Sequence, residues 1–88
     1  MTREEIEKRL IELAAEQAGV NAADITSGTH FRNDLNFDSL DEVEYAMSVE
    51  DEFGLSVPDE RAQKLQTIAD VTNLVMELAD KPTERAGA

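Results

Sequence analysis

The chain has 88 residues, of which eight are Lys or Arg and twenty are Asp or Glu, giving a formal net charge of −12 at pH 7. This charge argues against nucleic-acid and anionic-membrane binding and favours basic protein partners or cations. There is no cysteine, which excludes disulfides and thiolate metal sites, and no apolar run approaches the roughly 20 residues of a membrane span.

The first predicted helix covers residues 3–18. Thr2 and Glu5 have the spacing of a capping box, with Thr2 as N-cap. Gly19 is a natural C-cap at the other end. Between them, apolar residues recur at helical spacing, namely Ile6, Leu10, Leu13, Ala14 and Ala18.

Residues 20–38 show no sustained periodicity and are rich in turn-forming residues. We expect a long loop with a short helical turn near residues 22–25. Its spaced apolar residues should tie it to the core; they are Val20, Ile25, Phe31 and Leu35. Loops of this length are uncommon in compact domains and are often functional.

The second predicted helix covers residues 39–53. Asp38 is a good N-cap, Asp41 occupies the third helical position, and Gly54 ends the helix. The expected inward face consists of Leu40, Val43, Ala46, Met47 and Phe53.

Two further helices are predicted after Pro58, which blocks continuation of the second. Asp59 can cap a short third helix carrying Ala62 and Leu65. Thr67 and Asp70 resemble another capping box, and a fourth helix over 68–79 follows. Its apolar stripe is Ile68, Val71, Leu74, Val75 and Leu78.

No segment alternates as a strand does. The sequence therefore predicts an all-α fold: a small bundle of three main helices plus one short helix, with the long loop between helices one and two. We expect one domain over residues 1–80, followed by a disordered tail over 81–88. The acidic N-terminal segment is unlike a signal peptide, so we expect a cytoplasmic protein.

Acidic residues are concentrated in one part of the chain. Residues 33–60 contain ten Asp or Glu and no Lys or Arg. Such runs are usually solvated helix faces, but like charges at helical spacing cost a few tenths of a kcal/mol per pair. We therefore expect other interactions to compensate for this cost.

Ser39 stands at the expected start of the second helix with acidic residues around it. One interpretation is helix capping. A catalytic role is disfavoured, because a nucleophilic serine needs a base, and the only histidine, His30, lies in a loop with nothing to mark it as one. The sequence also lacks a Gly-x-Ser-x-Gly elbow. We expect no enzyme activity.

A calcium loop is the second alternative. Asp34, Asn36 and Asp38 match positions one, three and five of such a loop. The match then fails, because Ser39 replaces the glycine at position six and Tyr45 replaces the glutamate at position twelve. An acidic calcium-binding interaction module stays open as an alternative, without a dedicated metal site.

The third alternative is a carrier whose serine hydroxyl holds a covalent group. The segment DLNFDSLDEVEYAMSVEDEFGLSVPDE (34–60) closely resembles the signature region of acyl carrier proteins. The resemblance extends from about Ile6 to Leu78, and the order of predicted helices agrees with it. The family's Asp-Leu-Gly-x-Asp-Ser-Leu-Asp pattern is followed here at matching spacing by Glu-Asp-Glu-Phe and by Pro-Asp-Glu.

The resemblance implies that a separate phosphopantetheinyl transferase attaches 4′-phosphopantetheine from coenzyme A to Ser39. Acyl groups of fatty acid, or polyketide-like, biosynthesis would then be carried as thioesters on its thiol. It also implies a shelter for the acyl chain bordered by Leu40, Val43, Met47, Val49, Leu65 and Ile68. The implied docking face for basic patches on synthases, reductases and the transferase consists of Asp38, Asp41, Glu42, Glu44 and Glu50. We expect a monomer.

Two residues depart from the family pattern. Asn36 replaces the usual glycine two residues before Asp38, and asparagine tolerates left-handed backbone nearly as well as glycine. Phe37 replaces a smaller residue and gives the Phe-Asp-Ser-Leu form found in many polyketide carriers. The acidic second helix resembles the fatty-acid type more.

Overall fold

The computed structural model describes residues 2–79. They form α1 (Arg3–Ala18), a short 3₁₀ helix (Ala22–Asp24), α2 (Ser39–Phe53), α3 (Asp59–Ala62) and α4 (Ile68–Ala79). The only β-type pairing in this part of the chain is an isolated bridge between His30 and Thr67. The predicted all-α fold is confirmed, with three main helices, one short helix and the long loop after the first. The expected tail over 81–88 lies outside the described residues.

The helix ends follow from local chemistry, as the sequence predicts. Thr2 Oγ1 accepts from the Glu5 N–H at 3.1 Å, and Glu5 Oε1 accepts from the Thr2 N–H at 2.8 Å. Gly19 after α1 and Gly54 after α2 both adopt left-handed backbone, with φ of 73° and 66°. In front of α4, Thr67 Oγ1 accepts from the backbone N–H of Asp70 at 3.3 Å.

α1 packs against both α2 and α4. The core combines side chains from these three helices and from the long loop. Its buried hydrophobic members are Ile6, Leu10, Leu13, Ala14, Ala15, Ile25, Phe31, Phe37, Tyr45, Val49, Ile68, Val71, Leu74 and Val75.

The predicted inward face of α2 is wrong in three of its five residues. Leu40, Val43 and Met47 are 64%, 56% and 57% exposed. The buried residues of α2 are instead Tyr45 and Val49, one turn apart on the opposite side of the helix. The orientation follows from packing on α1, where the Tyr45 hydroxyl donates a hydrogen bond to the Leu10 carbonyl at 2.9 Å.

Three smaller predictions also need correction. Val20, expected to anchor the loop, is 43% exposed. Asp59 is the first residue of α3 rather than its cap; the N-cap is Pro58, which makes no side-chain cap hydrogen bond. Leu65 lies after the end of α3, since that helix stops at Ala62.

The long loop is tied to the segment that leads into α4. The Phe31 N–H donates to the Gln66 carbonyl at 2.9 Å, and the Ala69 N–H donates to the Ser27 carbonyl at 2.8 Å. Ile25 and Phe31 are buried, as the sequence predicts. These contacts hold in place the stretch of chain that leads to Ser39.

Candidate functional site

Ser39 is the first residue of α2, and its side chain is exposed. It does not cap the helix. Asp38 does so, because its Oδ1 accepts from the Asp41 N–H at 2.9 Å while Asp41 Oδ2 accepts from the Asp38 N–H at 3.1 Å. Within residues 2–79 the Ser39 hydroxyl has one long contact, with Arg32 Nη2 at 3.5 Å. The hydroxyl is therefore not needed for the helix end.

Asn36 and Phe37, the two residues that depart from the family pattern, lie just before Ser39, and the fold has a suitable place for each. Asn36 has a φ of 59°, the left-handed conformation expected of it. Phe37 is buried and stacks on Phe31 with ring centroids 5.5 Å apart. Tyr45 contacts both rings, at centroid distances of 5.1 and 6.0 Å. This aromatic cluster anchors the end of the loop against α2.

A cavity of about 500 Å³ borders Ser39. Its walls are mainly apolar and come from the loop, α2, the α3 region and α4. Besides Ser39, they include Phe31, Phe37, Val43, Ala46, Met47, Val49, Val57, Leu65, Val71 and Leu74. An apolar cavity of this size, with few polar groups at its border, is typical of a small-molecule site.

The six residues predicted to shelter an acyl chain are not all at this cavity. Val43, Met47, Val49 and Leu65 line it. Leu40 does not line it, and its side chain is 64% exposed. Ile68 is fully buried in the core and does not line the cavity either. Ala46, Val57, Val71 and Leu74 also line the cavity, although they were not among the residues predicted to shelter an acyl chain.

The five predicted docking carboxylates all lie on or just before α2, and each has an intramolecular partner. Asp38 and Asp41 form the capping box. Gln17 Nε2, on α1, donates to Asp41 Oδ1 at 3.1 Å and to Glu44 Oε1 at 2.8 Å.

The remaining two docking carboxylates are held from other segments. Glu42 accepts two hydrogen bonds from Arg32, and Glu50 Oε2 accepts from the Val57 N–H at 2.7 Å. These donors offset part of the like-charge repulsion within the acidic window.

Hydrogen-bond partners lower the pKa values of two of these carboxyl groups. The pKa of Asp41 is lowered, first by the hydrogen bond from the Asp38 N–H and then by the one from Gln17. The pKa of Glu42 is lowered chiefly by its hydrogen bonds with Arg32. Arg32 is correspondingly held as a cation, since Glu42 raises its pKa.

His30 has a structural role. Its Nδ1 accepts from the backbone N–H groups of Arg32 at 3.2 Å and Asn33 at 3.1 Å, which fixes the turn before Ser39. No group of three or more His, Asp or Glu side chains within residues 2–79 is arranged to hold a metal ion. No helix in the same range is long and apolar enough to cross a membrane.

The sequence interpretation also missed the roles of Tyr45, Gln17 and Arg32 at the site. Tyr45 and Val49 are spaced i, i+4, and Phe53 continues the series, which was the available signal for the buried face of α2. Gln17 and Arg32 gave no such signal, because neither side chain has a partner within one helical turn: the partners of the Gln17 side chain are at least 24 residues away and those of the Arg32 side chain at least 7. Arg32 was noticeable only as the basic residue directly before the acidic window.

Comparison with known proteins identifies the family. A family model described as "Phosphopantetheine attachment site" matches residues 8–75. The acyl carrier protein of Rubrobacter xylanophilus is 42% identical over 77 residues, covering 88% of this chain and 95% of that protein. The acyl carrier protein of Porphyromonas gingivalis is 41% identical over 71 residues, covering 81% of this chain and 91% of that protein.

The cofactor of this family is 4′-phosphopantetheine, and its members are carriers rather than catalysts. The residues present suit such a group, since an exposed hydroxyl that has no capping role lies beside an apolar cavity. The chain belongs to the acyl carrier protein family.

Proposed function

We propose that this protein carries acyl intermediates of fatty acid biosynthesis as thioesters on a 4′-phosphopantetheine group attached to Ser39. The observation that supports this best is the pairing of the exposed Ser39 hydroxyl with the apolar cavity beside it. A polyketide-type pathway uses the same chemistry, and the Phe37 form of the motif occurs there. The acidic α2 favours the fatty-acid assignment.

The attachment requires a separate transferase. In this step a phosphoester bond forms between Ser39 Oγ and the pantetheine phosphate of coenzyme A, the pyrophosphate bond of coenzyme A breaks, and the nucleotide leaves. The proton of the hydroxyl must go to a base on the transferase, since His30 Nδ1 is occupied by two backbone N–H groups. The chain itself supplies the hydroxyl and the surface that the transferase recognises.

The cavity would shelter the acyl chain. Of the residues predicted for this role, Val43, Met47, Val49 and Leu65 line the cavity, together with the aliphatic residues Val71 and Leu74 of α4. Burying an alkyl chain among them is favourable by about 0.8 kcal/mol per methylene group. The thioester would also be kept from water while the carrier moves between enzymes.

The docking surface for synthases, reductases and the transferase is proposed to be the outer side of α2. It combines the five carboxylates with the exposed apolar residues Leu40, Val43 and Met47. Exposed apolar side chains bordered by charge are typical of protein-binding surfaces. Carboxylates that meet basic patches should make association fast and salt-sensitive, as a carrier that must leave each partner requires.

Attachment is tested by incubating the protein with coenzyme A, Mg²⁺ and a promiscuous transferase, followed by intact mass and peptide mapping. We expect one phosphopantetheine per chain, on Ser39, and none in Ser39→Ala. Ser48→Ala is the matched control, since it removes a hydroxyl from the same helix and should load fully. Modification of another residue, or no modification of the wild type, would refute the proposal.

The shelter is tested with Ala46→Leu, which adds volume to the cavity wall, and with Ala79→Leu, which adds the same volume at an exposed position on α4. Chemical denaturation compares each variant with and without a medium-length acyl chain on the thiol. We expect acylation to stabilise the wild type and Ala79→Leu, and to stabilise Ala46→Leu clearly less. Equal stabilisation of all three would show that the chain lies elsewhere.

A further inference from the structure

Arg32 lies between the attachment hydroxyl and one of the docking carboxylates. Its Nη2 is 3.5 Å from Ser39 Oγ. The same guanidinium binds Glu42 through two hydrogen bonds, from Nε to Oε2 at 2.8 Å and from Nη2 to Oε1 at 2.9 Å. Any group attached to Ser39 therefore begins at an atom that Arg32 already contacts.

The position of Arg32 is fixed by its backbone. Its N–H donates to His30 Nδ1 at 3.2 Å, and its carbonyl accepts from the Asn36 N–H at 3.1 Å. The side chain itself is exposed, as is that of Ser39. The loop thus holds the backbone of Arg32 at a set place beside the hydroxyl, while the cationic side chain is exposed.

The charges around Ser39 are otherwise negative. Asp38, Asp41 and Glu42 surround it, and residues 33–60 contain no Lys or Arg. Arg32 is the only basic residue among those that line the cavity within the described part of the chain. A phosphodiester on Ser39 adds another negative charge, and Arg32 is the nearby cation that can offset it.

We propose that Arg32 is a phosphate-binding residue, whose guanidinium moves from the Glu42 carboxylate to the phosphodiester once phosphopantetheine is attached to Ser39. The inference rests on the proposed attachment at Ser39. A planar guanidinium binds phosphate oxygens through paired, charge-assisted hydrogen bonds. Leaving Glu42 costs little, because exposed ion pairs contribute little net stability.

The exchange has a consequence for docking. Glu42 loses its intramolecular partner when the group is attached, and its carboxylate becomes available to a basic patch on a partner enzyme. The carrier with phosphopantetheine would then present one more free carboxylate on α2 than the unmodified chain. Arg32 would also hold the phosphate at the border of the cavity, which directs the pantetheine arm toward the apolar wall.

The test compares the unmodified and modified full chain by NMR, using the ¹⁵N–¹H signals of the arginine Nε groups and the ³¹P signal of the phosphodiester. Loading on Ser39 is first established by mass and peptide mapping. We expect the Arg32 Nε signal to shift on modification, and the ³¹P signal to shift in Arg32→Gln relative to the wild type. Arg61→Gln is the matched control, because Arg61 forms an equivalent two-bond pair with Glu77 and does not line the cavity.

The variant Glu42→Gln tests whether Arg32 binds the Glu42 carboxylate or the phosphodiester. In the unmodified chain it should move the Arg32 signal, whereas in the modified chain the signal should lie near its wild-type position, since Glu42 no longer holds it. An Arg32 signal unchanged by modification, with a ³¹P signal unaffected by Arg32→Gln, would overturn the inference while leaving attachment at Ser39 intact. Failure of loading on Ser39 would overturn both.

Discussion

The hydroxyl of Tyr45 on α2 donates a hydrogen bond of 2.9 Å to the carbonyl of Leu10 in α1, across an interface where both side chains are buried. This contact, with the contacts of the Tyr45 ring to Phe31 and Phe37, sets the rotation of α2 about its axis. The rotation in turn places Ser39 at the cavity and Leu40 in solvent. Burial also raises the pKa of Tyr45, so the hydroxyl stays protonated and able to donate throughout the physiological range.

Tyr45→Phe should therefore destabilise the fold by about 1 kcal/mol, the usual net value of one hydrogen bond, because it removes the hydroxyl and keeps the ring. Urea denaturation measures the change. Tyr45→Leu should cost more, since the ring contacts are also lost. If Tyr45→Phe were as stable as the wild type, the hydrogen bond would not determine the orientation of α2.

Gln17 on α1 holds two carboxylates of α2, and its effect on Asp41 can be measured by pH titration. The pKa of Asp41 lies below the ordinary value for an aspartate, so its carboxylate stabilises the fold above that ordinary value, and this stabilisation is lost as the pH falls through the lowered pKa. Gln17→Leu removes one donor and should raise the pKa of Asp41 toward the ordinary value for an aspartate.

Carboxyl ¹³C NMR follows the titration of Asp41 in each protein. Gln66→Leu, a matched change in the exposed segment before α4, should leave the Asp41 titration as it is in the wild type. A pKa of Asp41 that did not move in Gln17→Leu would mean that the capping hydrogen bond alone sets it.

Capping and attachment are divided between Asp38 and Ser39, and mutation can separate the two roles. Asp38→Ala should destabilise the protein by about 1 kcal/mol, because α2 loses its N-cap, whereas Asp38→Asn should cost less. Ser39→Ala should fold with wild-type stability and accept no pantetheine. Thermal denaturation of the three variants checks this, and a marked loss of stability in Ser39→Ala would favour a structural role for the serine.

The helix ends could be predicted from the sequence because their causes are local. The capping boxes at Thr2 and Asp38 and the left-handed Gly19 and Gly54 depend on residues within one turn of each other. The left-handed backbone of Asn36 could be predicted for the same reason. These signals were enough to place Ser39 at the first turn of α2.

The rotation of α2 could not be predicted from that helix alone. It has two apolar stripes, one with Tyr45 and Val49 and another with Leu40, Val43 and Met47, and both have helical spacing. Only packing on α1 decides between them. Gln17 and Arg32, which hold Asp41, Glu44 and Glu42, are likewise 10 residues or more away from them in sequence. The cytoplasmic location and the monomeric state stay predictions.

The acidic window makes a further prediction about stability. Several of its carboxylates are held by hydrogen bonds, yet residues 33–60 still carry ten negative charges and no Lys or Arg. Raising the ionic strength or adding millimolar Mg²⁺ should therefore raise the melting temperature, because salt screens the repulsion between exposed charges. The double variant Asp51→Asn, Glu60→Gln removes two exposed charges, and should melt higher at low salt and gain less from added salt.

Ca²⁺ and Mg²⁺ should act alike, since no metal-holding cluster occurs within residues 2–79. A melting temperature that did not rise with salt would contradict the repulsion argument, and a saturable effect of Ca²⁺ alone would support the calcium-binding alternative.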